Sequence, residues 1–114
     1  MDNSTPAGTW YLLGNGFRLE LSLQHQNNAW SGAIKNEGGA AENVDQISWD
    51  AVGRWLEFRR NGPNFFQWYR LCLTYGVVNG RFSHANTAPK PALTSYAFHV
   101  TGWSPSWLDS DIVP

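Results

Sequence analysis

Along Phe17-Arg18-Leu19-Glu20-Leu21-Ser22-Leu23-Gln24 apolar and polar residues alternate without a break. Phe17, Leu19, Leu21 and Leu23 fall on one side, and Arg18, Glu20, Ser22 and Gln24 on the other. Successive side chains of an extended strand point to opposite faces, so this is the period of a half-buried β-strand. Apolar positions at the three-and-four spacing of a helix do not recur over any long run, and Gly or Pro interrupts the chain too often. Turn signals are frequent. Asn15-Gly16, Asn61-Gly62 and Asn79-Gly80 are dipeptides that accept positive φ, the requirement of a tight hairpin. Gln26-Asn27-Asn28, Glu37-Gly38-Gly39 and Ala51-Val52-Gly53 offer further reversals.

Between these turns the rhythm predicts about eight strands. They run Gly8 to Leu13, Phe17 to His25, Ala29 to Asn36, Val44 to Asp50, Arg54 to Arg60, Phe65 to Tyr75, Val77 to His84 and Leu93 to Trp103. Pro89 and Pro91 make Asn86 to Ala92 an extended loop. Short strands joined by tight turns describe an antiparallel meander, which must close or stack to hide its edges. The expectation is an all-β domain closed as an eight-stranded up-and-down barrel, with a two-sheet sandwich as the alternative.

The alternation also sorts the rings. Trp55, Glu57 and Arg59 share one face of their strand, and Leu56 and Phe58 the other. On the next strand Phe66, Trp68, Arg70, Cys72 and Thr74 lie opposite Phe65, Gln67, Tyr69, Leu71, Leu73 and Tyr75. The second set is apolar enough to be core. Trp55 and Trp68 are thus left on mixed faces beside Arg59 and Arg70.

Composition narrows the class. The chain has 114 residues, 42% hydrophobic and 15% charged, which suits a single folded domain over 1–114. It ends on Asp111-Ile112-Val113-Pro114 without an obvious finishing element, as one domain of a longer protein would. The net charge is −1 and the eight Lys and Arg form no run, which speaks against a nucleic-acid partner held by phosphate neutralisation. One cysteine, Cys72, allows no intrachain disulfide and no cysteine-based zinc cage, and reads as a small buried hydrophobe. No apolar stretch is long enough to span a bilayer, and Met1 to Pro6 lacks the features of a signal peptide. The expected setting is cytoplasmic and soluble, with no membrane partner.

Gly8-Thr9-Trp10-Tyr11, a short turn, an alternating strand and then Trp30-Ser31-Gly32-Ala33-Ile34 resemble the start of the avidin and streptavidin family. More broadly, the first third of the chain is similar to the calycin superfamily, in which an early Gly-x-Trp seals one end of a barrel. The resemblance implies a barrel with a mouth in which small molecules sit. It does not extend to biotin. Leu12 stands where the avidin-like pattern has an asparagine, and Ile34 where it has a tyrosine, so two polar contacts to a urea-like head are missing.

Seven tryptophans in 114 residues carry the functional reading. They line a wide interior, or they are flat rings held at a surface for a partner. Rings flanked by guanidinium and amide groups suit a sugar, a planar ligand or a protein. The candidate ligand-binding set is Trp30, Trp49, Trp55, Arg59, Trp68, Arg70 and Trp103. Against it stands the plainer reading that these rings pack under long loops or against an oligomer partner. Asn27, Asn28, Asn43, Asp45, Gln46, Asp50 and Asn64 would hydrogen-bond sugar hydroxyls, although turns also demand such residues. The segment Thr101 to Asp109, with Trp103 and Trp107 around a proline, would plug a barrel end, cover a pocket or dock on a neighbour.

Catalytic signals are missing. There is no nucleophile elbow and no phosphate loop. His25, His84 and His99 have no metal-ligand spacing. No catalytic residue, metal or cofactor is therefore expected. The expected function is a non-enzymatic, lectin-like or calycin-like binding module for a small planar or saccharide-like ligand. The alternatives are a small barrel enzyme of the cyclase or isomerase type, acting by confinement, and an oligomerisation or protein-interaction domain.

Overall fold

Each alternating segment forms a strand, and each strand pairs with its neighbours in sequence. The structure, a computed structural model, describes residues 5–74 and 76–105. Its strands are β1 (Gly8–Gly14), β2 (Phe17–Gln26), β3 (Ala29–Asn36), β4 (Glu42–Asp50), β5 (Trp55–Asn61), β6 (Phe66–Thr74), β7 (Val77–Phe82) and β8 (Phe98–Trp103). All pairings are antiparallel, and β8 returns to pair with β1. The meander is a closed eight-stranded barrel rather than a sandwich. Closure gives every strand a partner on each side, although β3 and β4 pair over three residues only.

Two hairpins turn as their sequences require. Asn15 and Gly16 sit at φ 48° and 84°, and Asn27 and Asn28 at 53° and 61°. Asn79-Gly80 does not turn: it lies within β7, where Gly80 pairs with Leu71 of β6. A Cβ on Gly80 would collide with the Arg70 carbonyl oxygen and come within 2.7 Å of the Leu71 Cα. The glycine serves close approach of two strands, not reversal. Asn61 likewise ends β5, and the loop that follows is closed by the Gly62 N–H donating to the Phe65 carbonyl at 3.0 Å.

The last strand begins later than its sequence suggests. Leu93–Ser95 form one 3₁₀ turn, and β8 starts only at Phe98. Ser83 and Ala85 still bond to β6, through Trp68 and an isolated bridge to Phe66, and residues 86–97 then leave the ladder and form a strap over the outside of the barrel. Tyr75 and the tryptophan at Trp107 lie outside the described residues.

Inside, Trp10, Leu21, Ile34, Leu56, Leu71 and Val100 are fully buried and fill the middle of the barrel. One rung is continuous across four strands. Phe58, Tyr69, Phe82 and Phe98 pair in succession, with ring centroids 4.8, 5.0 and 5.0 Å apart. The next rung faces outward and reads Glu57, Arg70, Arg81, His99. An aromatic ladder within and an ionic ladder without are thus offset by a single residue.

A bulge in β4 changes which residues face in. The register shifts between Asp45 and Ser48, with Gln46 at φ 51°. Val44 is buried before the bulge, and Ile47 and Trp49 pack on the core after it. Strict alternation from Val44 would have turned Trp49 outward.

One end of the barrel is sealed. The Trp10 indole N–H donates to the Pro6 carbonyl at 2.8 Å, and the Ser104 hydroxyl donates to the Thr9 carbonyl at 2.7 Å. Trp30 and Trp49 pack against the core there, with His25 stacked on Trp30 at 4.4 Å and the Arg54 guanidinium 5.7 Å from the Trp49 ring. The other end is open.

Candidate functional site: the open mouth of the barrel

Gly14 points into the barrel beside Leu19 and Phe82 and brings no side chain. The space left there widens into a cavity of 330 Å³ at the open end. The upper part of the aromatic ladder, Tyr69, Phe82 and Phe98, forms one wall, and Asn15, Asn36, Arg60, Phe65, Gln67 and His84 are among the residues that line the rest. Small-molecule sites are usually of this kind, apolar with a few fixed polar groups.

Arg60 follows Leu56 and Phe58 on the inward phase of β5, which carries a charge into the barrel. Among the described residues it is the buried one that bears a formal charge. A lone buried guanidinium would cost several kcal/mol, so it needs partners. Glu42 on β4 accepts from Nε at 2.6 Å, and Asn36 on β3 accepts from Nη2 through Oδ1 at 3.0 Å. Phe65 lies over the same guanidinium at 5.7 Å. Three strands and a loop therefore converge on one cation that lines the mouth.

A second relay runs beside it. The Tyr69 hydroxyl donates to Gln67 Oε1 at 2.9 Å, and Gln67 Nε2 lies 3.0 Å from His84 Nδ1. With Gln67 donating, the His84 proton sits on Nε2. Burial pushes the Tyr69 hydroxyl above the ordinary tyrosine range, against the pull of the Arg60 charge, so it stays a neutral donor. The His84 ring stacks on Phe65 at 5.1 Å. The mouth is thus aromatic at its walls and rich in N–H donors at its polar positions.

The ligand-binding set read from the sequence is distributed over three places. Trp30 and Trp49 lie at the sealed end, packed on the core. Trp55, Arg59, Trp68 and Arg70 face outward on β5 and β6, as their alternation requires. Trp68 is 8% exposed because the strap covers it, and its indole N–H donates to the Ala88 carbonyl at 3.1 Å. Trp55 holds the Arg70 guanidinium 3.7 Å from its ring centroid. Cys72 shares this outward face and is partly buried, not core, because β6 aims its even-numbered residues away from the interior. Trp103 lies on the wall formed by β1, β7 and β8, its ring 5.2 Å from that of Tyr11. With Leu13 and Val77, these two rings line an exposed groove of 770 Å³, rimmed by Arg18, Glu20, Lys35 and Glu37.

Of the polar loop residues, Asp45 is engaged by a neighbour. Arg59 donates to it twice, Nε to Oδ1 at 2.9 Å and Nη2 to Oδ2 at 2.7 Å. Partial burial pushes this carboxyl up, but the Arg59 fork and a hydrogen bond from Asn61 outweigh it and hold Asp45 below its ordinary value of 3.8. A carboxyl depressed by folding adds stability above its unfolded value and loses it as pH falls through the folded one. Arg59→Leu should therefore be less stable than the parent near neutrality, and the gap in urea midpoint should close below about pH 4. A gap that persists unchanged into strong acid would contradict this.

Sequence reading passed over Arg60, Glu42, Asn36 and Tyr69. The available signal was an arginine in phase with Leu56 and Phe58. Among the described residues no cluster of three potential metal ligands occurs, and no helix is long and apolar enough to cross a membrane. No protein-family model, curated protein or solved structure matches the chain.

Proposed function

We propose that the protein is a non-enzymatic binding module, and that its open mouth takes a small flat ligand bearing hydrogen-bond acceptors. The observation that carries this reading is Arg60. A buried charge lining an aromatic mouth adds little to stability compared with apolar packing. It does fix the orientation of a polar edge brought against it. Asn36 and His84 supply further N–H donors, and Phe82 and Phe98 supply apolar walls for the flat part of the ligand.

A planar compound fits these walls better than a saccharide, whose many hydroxyls need acceptors as well as donors. The carboxylate nearest Arg60, Glu42, is bound by it and does not line the mouth. A calycin-like reading of the whole chain is in keeping with the sealed end at Trp10 and the open one at Arg60.

Calorimetry with flat heteroaromatic carbonyl compounds and with monosaccharides tests the proposal. Saturable binding of the flat compounds is expected in the parent, and its loss in Gly14→Leu, whose added side chain fills the mouth. Binding that survives this filling, silence across the flat compounds, or a preference for sugars would each overturn it.

A further inference from the structure

The outer rung Glu57–Arg70–Arg81–His99 places two arginines directly opposite each other on β6 and β7. Like charges facing across a strand pair are unfavourable unless an anion comes between them. Glu57 answers only part of the demand. It lies 3.2 Å from Arg70 Nε and also accepts from Lys90 Nζ at 2.7 Å. Arg81 has no ion pair or hydrogen bond through its guanidinium among the described residues.

The strap turns this charged wall into a pocket. Leu93 and Tyr96 roof a cavity of 510 Å³ whose floor and sides include Trp55, Arg70, Arg81 and His99, and no acidic residue lines it. Tyr96 is 5% exposed, and its hydroxyl is buried without a hydrogen-bond partner. A buried hydroxyl in that condition lacks an acceptor. Arg70 is answered by Glu57, which among the described residues leaves the exposed Arg81 as the unpaired cation of a partly apolar cavity.

We propose that this pocket beneath the strap is a second binding site, distinct from the mouth, for a small organic carboxylate. Arg81 takes the carboxylate through its planar fork, with Arg70 beside it, and the carbon skeleton lies against Leu93 and Tyr96. A guanidinium matches a carboxylate with two parallel hydrogen bonds. The apolar roof has nothing to offer an inorganic anion, which would fill little of the space.

Cys72, the single cysteine of the chain, lines the same cavity and reports on its occupancy. The rate at which iodoacetamide alkylates Cys72 is measured in the folded protein with increasing benzoate, benzamide or inorganic phosphate. Benzoate should slow the reaction saturably, while benzamide and phosphate leave it unchanged. Arg81→Gln should raise the benzoate concentration required by about tenfold or more, the loss expected for a charge-assisted contact. Gly14→Leu, which fills the mouth, should leave protection intact. Absence of protection in the parent overturns the proposal, and that measurement needs no variant to fold. Equal protection by benzamide removes the role of charge, and equal protection by phosphate removes the organic skeleton. Either of these results also overturns it.

Discussion

Arg60→Met is expected to destabilise the barrel by about 3–5 kcal/mol, because it leaves the part-buried Glu42 carboxylate without its cation. The size of the effect comes from the group left behind rather than from the worth of the pair. Removing both charges should show this. Arg60→Met with Glu42→Leu replaces the pair by apolar side chains of similar bulk, and stability should return to within about 1 kcal/mol of the parent or exceed it. Urea denaturation of the two single variants and the double variant measures the cycle. If the double variant is as unstable as the single ones, the pair is not the structural problem that it solves. Ligand binding should follow the opposite course: the double variant folds well and binds poorly. A residue kept for stability alone would not separate the two readouts.

Trp10→Ala should be as damaging, with a loss of about 3–5 kcal/mol. Trp10 is fully buried, and it joins the barrel core to the segment that crosses the sealed end. Alanine would open a large cavity among apolar neighbours that are held by a closed sheet and relax little into it. Trp10→Phe separates volume from the hydrogen bond. It keeps most of the ring but orphans the buried Pro6 carbonyl, and a smaller loss, about 1–3 kcal/mol, is expected. Thermal or urea unfolding of the two variants orders them. A Trp10→Phe variant as unstable as Trp10→Ala would assign the effect to the indole N–H instead of to packing.

The architecture was written plainly in the alternation, because an exposed polar face and a buried apolar face impose the same period on the residues as on the sheet. Ala29 to Asn36 forms β3 with the limits that the pattern implies, and the remaining strands differ mainly at their ends. Two kinds of feature were harder to read. Gln46 adds a residue to β4 and reverses the phase, so Trp49 faces the core although its neighbours suggest a polar loop. The strap covers Trp68 from above, and no local pattern announces that a distant segment will cross a given strand. The candidate site shows the same limit. Trp55 and Arg70 are adjacent because β5 and β6 pair, which alternation foretells. Asn36, Glu42 and Arg60 also lie on consecutive paired strands, but their meeting depends on the register of β3 with β4 and of β4 with β5, which alternation alone does not fix.

The paired ladders bear on how the chain finds one alignment among several. Sliding β6 by one position against its neighbours would interchange the two rows, driving Arg70 into hydrocarbon and turning Tyr69 out to water. No intermediate slip is available, since side chains face only one way or the other. Slips by an odd number of positions are thus penalised at every rung from β5 to β8, whether or not a ligand ever occupies the guanidinium row.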